Sequence, residues 1–257
     1  MKFVRYQFKK ERPRFGWVYG DKVGPIDGSI LSEYRRLEAE LPIESVLLLP
    51  PVEPSKVICV GRNYSEHARE HGVEVPEIPM VFLKPPSSLI GHMGAIQLPP
   101  QSNQVEHEAE LAVIIGRSGR WIDSEKVNDY IFGYTIANDV TARDLQRRDG
   151  QWTRGKGFDT FCPIGPWIET EMDPYDILIT CRVNGDIRQM ASTRDMVFSI
   201  QQLIVFISSI MTLLPGDVVL TGTPAGVGPL KAGDRVSITI EGIGELINPV
   251  DQLDRNR

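Results

Sequence analysis

With 257 residues the chain is long enough to bury a full core, and it need not be more than one large domain. An apolar fraction of 41% and a charged fraction of 24% are ordinary for a soluble globular protein. A net charge of −6 without a long basic run argues against a nucleic-acid binder. Cys59, Cys162 and Cys181 are odd in number and lack paired spacing, which fits buried, reduced, structural thiols of a cytoplasmic protein.

The N-terminus, Met1 to Lys10, has no signal-peptide apolar run, and the longest apolar stretch, Leu203 to Leu214, is too short to cross a bilayer. Val4, Tyr6 and Phe8 alternate, and Trp17 to Gly24 has the form strand, turn, strand. Ile30 to Glu40 is read as a short helix and Leu47 to Val52 as a linker, because adjacent prolines end regular structure. Residues 1–52 therefore form a small N-terminal β-rich domain, with capping or oligomer contact as its expected role, and residues 53–257 form the main domain.

The strand Lys56 to Val60 opens the main domain, and Gly61-Arg62-Asn63-Tyr64 turns the chain. Ser65 to Gly72 is predicted as a short polar helix, capped by Ser65 and ended by Gly72. It places His67 and Glu70 one turn apart on one face. A carboxylate beside a histidine fixes the tautomer and stabilises the imidazolium, as a general base requires, although a surface pair looks the same in sequence. Met80 to Pro86 is a strand that carries Lys84 to its end, where it either holds an acidic substrate group or is solvated.

The run from Leu111 to Ile115, rich in β-branched residues and closed by Gly116, reads as a buried strand. Alternation puts Glu106, Glu108 and Glu110 on one face of it. Carboxylates in a row that feed into an apolar run repel each other and resist burial. Either the strand end is wet, or a cation sits among them. Tyr134 to Val140 is a second strand with Asp139 near its end, joined to the first by a helical connection over Trp121 to Tyr130. An all-oxygen set such as Glu108, Glu110 and Asp139 suits Mg²⁺ or Mn²⁺ better than zinc, which recruits His or Cys.

Further on, Lys156 sits between two glycines, where backbone can approach a ligand or where an exposed loop can form. In Asp176 to Val183 the residues Ile177, Ile179, Cys181 and Val183 share a buried face, and Asn184-Gly185 is a hairpin turn. Ser192-Thr193 is predicted to begin a core helix with apolar residues from Met196 to Met211, stopped by Pro215-Gly216. Asp217 to Gly228 is a strand followed by a glycine loop without a P-loop ending. Its amides and Thr223 can hold a carboxylate. Val236 to Asn248 closes the chain as a hairpin.

Taken together, these segments resemble the fumarylacetoacetate hydrolase family. The matching pieces are Gly61-Arg62-Asn63-Tyr64 with His67 and Glu70, Phe82-Leu83-Lys84-Pro85, Glu108-Ala109-Glu110-Leu111, Asn138 to Gln146, Lys156-Gly157, Pro215-Gly216-Asp217 and Leu220 to Pro224. No single piece is decisive, but the ordered set is specific. The resemblance implies an α+β, predominantly β fold, a mixed β-sandwich roll, in a homodimer. It implies that Glu108, Glu110 and Asp139 bind Mg²⁺ or Mn²⁺, that Arg143, Gln146 and Lys156 line the substrate site with Thr223 nearby, and that His67–Glu70 belongs to a lid. The eponymous hydrolase has a fourth acidic ligand where this chain has Asn63, so three ligands are expected here, with Glu106 behind them.

The substrate class implied is a 2,4-diketo acid or 2-keto diacid, whose adjacent oxygens can chelate a metal. Hydrolysis of an acylpyruvate, with water activated by His67 and positive charge from Lys156 and Arg143, ranks first. Oxaloacetate decarboxylation and isomerisation of unsaturated hydroxy-diacids from aromatic catabolism follow, since all three pass through an enolate. A metal-binding protein without turnover is the reading from outside this class.

Overall fold

The computed structural model describes residues 1–70 and 72–253; position 71 of the predicted short helix and residues 254–257 of the main domain lie outside them. The strand Ala109–Ile115 is buried along its whole length. Leu111, Val113 and Ile115 face one apolar core, while Ala112 and Ile114 face another on the opposite side. Burial on both faces is why this strand reads as a continuous apolar run and does not alternate with polar residues. Truncating Leu111 to Ala would cost roughly 2–5 kcal/mol, the range for emptying such a site.

Around this strand runs a 13-stranded mixed sheet. On one side Ala109–Ile115 pairs antiparallel with Ile131–Asn138, which pairs with Cys162–Glu169. On the other it pairs with Val218–Leu220, which runs parallel to Val57–Gly61, and the sheet then ends at Met80–Lys84. A separate five-stranded sheet holds the hairpins Leu178–Val183 with Asp186–Ser192 and Arg235–Ile240 with Gly244–Gln252. The larger core lies between the sheets and is closed by the helix Ile200–Ile210, whose Leu203, Ile204 and Ile207 are buried. The α+β, predominantly β roll expected from the sequence is the observed class.

The two-residue turn Asn184-Gly185 has φ of 55° and 91°, the left-handed pair that a tight hairpin needs. Ile177, Ile179, Cys181 and Val183 are all buried, and all three cysteines are free and buried. The predicted connection before Tyr130 is a 3₁₀ helix, Ser124–Tyr130.

Three local expectations are corrected. Ile30 to Glu40 is not a helix: Tyr34–Arg36 is a short strand paired with Lys22–Gly28, because sheet pairing outweighs a weak helical propensity. Leu47–Leu49 is not a bare linker but a strand paired with Lys2–Gln7. The long helix predicted from Ser192 is two pieces, a 3₁₀ turn Thr193–Asp195 and the helix Ile200–Ile210, each with its own serine capping box, at Ser192 and Ser199. The break has an identifiable cause. The carbonyl of Asn63 accepts the amide of Val197 at 2.8 Å and its side-chain oxygen accepts that of Phe198 at 2.7 Å, which ties 197–198 to a distant turn.

Strand Lys2–Gln7 also pairs with Cys162–Glu169, so the N-terminal strands extend the main sheet.

Candidate active site

Strand register assembles the acidic cluster. Ala109 is opposite Asn138 and Glu110 is opposite Ala137, so one step further Glu108 faces Asp139. Residues directly opposite in an antiparallel pair share a face, and so do residues two apart on one strand. Glu108, Glu110 and Asp139 therefore converge, with one carboxylate oxygen of each within 4.8 Å of the others. The amide of Asp139 donates to the carbonyl of Glu108 at 2.9 Å, and the amide of Glu108 donates to the side-chain oxygen of Asn138 at 2.9 Å, which fixes both backbones at the strand ends.

Burying three carboxylates demands compensation. Lys156 donates to Glu108 at 2.8 Å and to Asp139 at 2.6 Å. Lys84 donates to Asp139 at 2.7 Å and to the carbonyl of Val140 at 3.1 Å. Arg143 bridges Glu108 and Glu106, at 2.7 Å to the latter, and Gln146 accepts from it at 2.7 Å. Burial alone would push Glu108 upward, but Lys156 and Arg143 outweigh it and hold its carboxyl well below the usual range. Glu110 is different. Its carboxylate accepts the Gly222 amide at 2.7 Å, and among the described residues no cation touches it. Burial, and then the charges of Asp139 and Glu108, push its carboxyl well above the usual range.

This imbalance is the test of fit for a divalent cation. Four buried carboxylates, counting Glu106, face three buried cations, and the uncompensated one points into an all-oxygen cluster. A hard divalent ion matches that donor set and supplies the missing positive charge. Glu108, Glu110 and Asp139 are the residues that would hold it.

The cluster forms the floor of a cavity of about 420 Å³. Every candidate residue except Lys84 lines it: His67, Glu70, Glu108, Glu110, Asp139, Arg143, Gln146, Lys156 and Thr223. Lys84 is neither solvated nor at the wall. It is 1% exposed and lies behind Asp139. Lys156 ends the short helix Thr153–Lys156 and is buried, so the exposed-loop reading of its glycines does not hold. Thr223 accepts from Gln189 at 2.7 Å and donates to the Ala109 carbonyl at 2.9 Å.

Opposite the floor lies the helix Ser65–Glu70, with His67 buried. The ring Nδ1 of His67 is 3.4 Å from Glu70, a long contact for a hydrogen bond. Both oxygens of Glu70 also accept the Gly226 amide, at 3.1 and 3.2 Å, so one carboxylate joins the histidine to the loop after Thr223. Sequence reasoning missed two polar residues that position this site. Asn63 does not face the floor as a ligand; its amide donates to the carbonyls of Phe198 at 3.0 Å and Thr221 at 2.8 Å. Buried Gln189 accepts the Ala109 amide at 3.0 Å and donates to Thr223 and to the Pro224 carbonyl, which locks the strand to the loop. The partners of Asn63 and Gln189 lie far away in sequence, so no local pattern announces them.

A β-rich roll with a buried oxygen cluster under a histidine-bearing helix defines the class of site. Comparison with known proteins gives the family. Residues 56–251 match the fumarylacetoacetate (FAA) hydrolase C-terminal family, and residues 1–51 match the Rv2993c-like N-terminal family. The chain is 47% identical over 231 residues to an oxaloacetate tautomerase of Rattus norvegicus, covering 84% of this chain and 74% of the relative. It superposes on the 2-hydroxyhepta-2,4-diene-1,7-dioate isomerase of Mycobacterium marinum with a TM-score of 0.92 and 42% identity, over 99% of this chain and 100% of that one. It superposes on maleylpyruvate hydrolase from Sphingobium sp. SYK-6, a complex with manganese(II) and pyruvate, with a TM-score of 0.81 and 35% identity, over 99% and 100%. The chain belongs to the fumarylacetoacetate hydrolase family of enzymes.

Proposed function

We propose that this protein catalyses proton transfer beside the keto group of a small 2-oxo acid, with interconversion of the keto and enol forms of oxaloacetate as the leading reaction. The observation that carries this reading is the placement of His67 and the carboxylate cluster on the walls of one cavity. A divalent ion, Mg²⁺ or Mn²⁺, held by Glu108, Glu110 and Asp139 would supply Lewis acidity toward the two adjacent oxygens of a 2-oxo acid.

The chain's own groups do the rest. Neutral His67 removes the proton from the carbon next to the keto group, and the C–H electron pair moves toward the keto oxygen. Glu70 fixes the ring and stabilises the imidazolium. Lys156 and Arg143 set fixed positive charge on the wall where negative charge develops. Returning the proton to oxygen gives the enol; the reverse order gives the ketone.

Two relatives named for proton shifts, the tautomerase and the isomerase, stand at 47% and 42% identity, against 35% for the hydrolase. That moves proton transfer ahead of the acylpyruvate hydrolysis ranked first from the sequence. Hydrolysis is the second reading. It is favoured by the same His67–Glu70 pair, which can activate water, and by a cavity of about 420 Å³ that leaves room for it. Assaying oxaloacetate enol decay, oxaloacetate decarboxylation and acetylpyruvate cleavage side by side, with Mg²⁺ or Mn²⁺, separates the readings. Acceleration of enol decay above that of the free ion is the expected result. Acetylpyruvate cleavage alone would transfer the assignment to the hydrolase.

A further inference from the structure

The cavity lining carries both engaged and unengaged arginines. Its floor is the carboxylate cluster, where Arg143 is fully engaged by Glu106, Glu108 and Gln146. Its wall also carries Arg62 and Arg147. Among the described residues neither guanidinium has a carboxylate or hydrogen-bond partner, whereas their neighbours Arg69 and Arg154 are paired with Glu66 and Asp149. Arg62 is half-buried and Arg147 is exposed.

Both are placed by the same elements that build the floor. Arg147 follows Arg143 by four residues in the helix Arg143–Asp149, so the two lie on one face about 6 Å apart along its axis. Arg62 directly follows the strand Val57–Gly61 and takes a φ of +59°, uncommon for a long side chain. The next residue, Asn63, is held by Phe198 and Thr221. A left-handed backbone at a non-glycine residue that lines the cavity is the kind of strain that persists at functional sites.

We propose that Arg62 and Arg147 form a second-carboxylate clamp that makes the enzyme selective for 2-oxo dicarboxylates over 2-oxo monocarboxylates. This rests on the proposed reading of the floor as the 2-oxo acid site. The 2-oxo acid end lies toward the floor, and the remote carboxylate lies between the two guanidinia. Arginine suits this role because its planar fork meets a carboxylate with two parallel N–H donors. A methyl-ended analogue would leave both arginines without a partner.

The test is calorimetric titration of the Mg²⁺-saturated protein with 2-oxoglutarate and with 2-oxopentanoate, two acids of equal length that differ in the terminal group. Wild type is expected to bind the diacid at least about tenfold more tightly, as charge-assisted pairs allow. In the doubly substituted Arg62→Gln, Arg147→Gln protein the diacid should weaken to the level of the monoacid, whose own affinity stays unchanged. Arg147→Lys should recover part of the difference. Equal binding of both acids by wild type, or equal weakening of both in the double variant, overturns the clamp and leaves the floor reading intact. Failure of wild type to bind either acid overturns both.

Discussion

The two walls of the cavity are built in opposite ways. The floor is carried by sheet strands, is buried, and ties each of Glu108 and Asp139 to two cationic side chains. Part of the cavity wall is a six-residue helix, Ser65–Glu70, whose Glu70 carboxylate is within 3.4 Å of His67 in the same helix and accepts the Gly226 amide from the loop after Thr223. A register-fixed floor cannot adjust without breaking strand pairing, whereas a short helix outside the sheets is the kind of element from which active-site lids are drawn. In the proposed reading the difference separates two tasks: the floor holds charge in place, and the helix supplies the base.

The sharpest way to break this contrast is at the floor. Glu108→Gln keeps the volume but removes the charge between Lys156 and Arg143. Metal-dependent turnover should fall by about a thousandfold or more, since an electrostatic contact at the centre of a site is worth several kcal/mol. Thermal stabilisation by Mn²⁺ should vanish with it. Glu108→Ala should in addition destabilise the fold by roughly 3–5 kcal/mol, because it leaves buried cations unpaired; urea denaturation reads this directly.

His67→Ala should act on the opposite wall alone. Turnover is expected to drop about 10²- to 10⁴-fold, the range for losing a general base. The melting temperature and Mn²⁺ affinity should stay near those of wild type, because His67 is not among the three clustered carboxylate bearers. If His67→Ala lost metal affinity as Glu108→Gln does, the division of labour would be wrong.

Metal removal gives a smaller effect. Mn²⁺ at a hundred times its dissociation constant should stabilise the wild-type fold by about 2.7 kcal/mol, and chelation should reverse this. The gentlest probe is the tether. Gly226 has a φ of +99°, and a Cβ there would come within 2.0 Å of the Arg188 carbonyl. Gly226→Ala must shift the loop and loosen the Glu70 contact. Faster protease nicking within residues 65–80, with metal affinity retained, is the expected outcome.

The floor was legible from sequence in part because it is written in periodicity. Glu106, Glu108 and Glu110 alternate into an apolar run and the second apolar run ends at Asp139, but strand geometry left a wet strand end open, and the resemblance to the family made Glu108, Glu110 and Asp139 a ligand set. The structure breaks the strand at Glu108 and puts Glu106 in another sheet. The Asn184-Gly185 hairpin was legible for a local reason. What was not legible depends on contacts between distant positions. Asn63 pulls residues 197–198 out of a helical pattern that runs unbroken in the sequence. Lys84 ends a strand next to prolines, which reads as a substrate contact or as solvent, yet the fold brings that end back onto Asp139. Arg62 and Arg147 sit among other charged residues, and only the shape of the cavity sets them apart.

The most direct test of the account is the rate at which the enol of oxaloacetate decays in ultraviolet absorbance, measured in Mg²⁺ with wild-type protein and with Glu108→Gln. The account predicts acceleration over Mg²⁺ alone by wild type, its loss in Glu108→Gln and its abolition by EDTA. Acceleration that survives both the substitution and the chelator would contradict it, because the carboxylate floor would then have no part in the reaction.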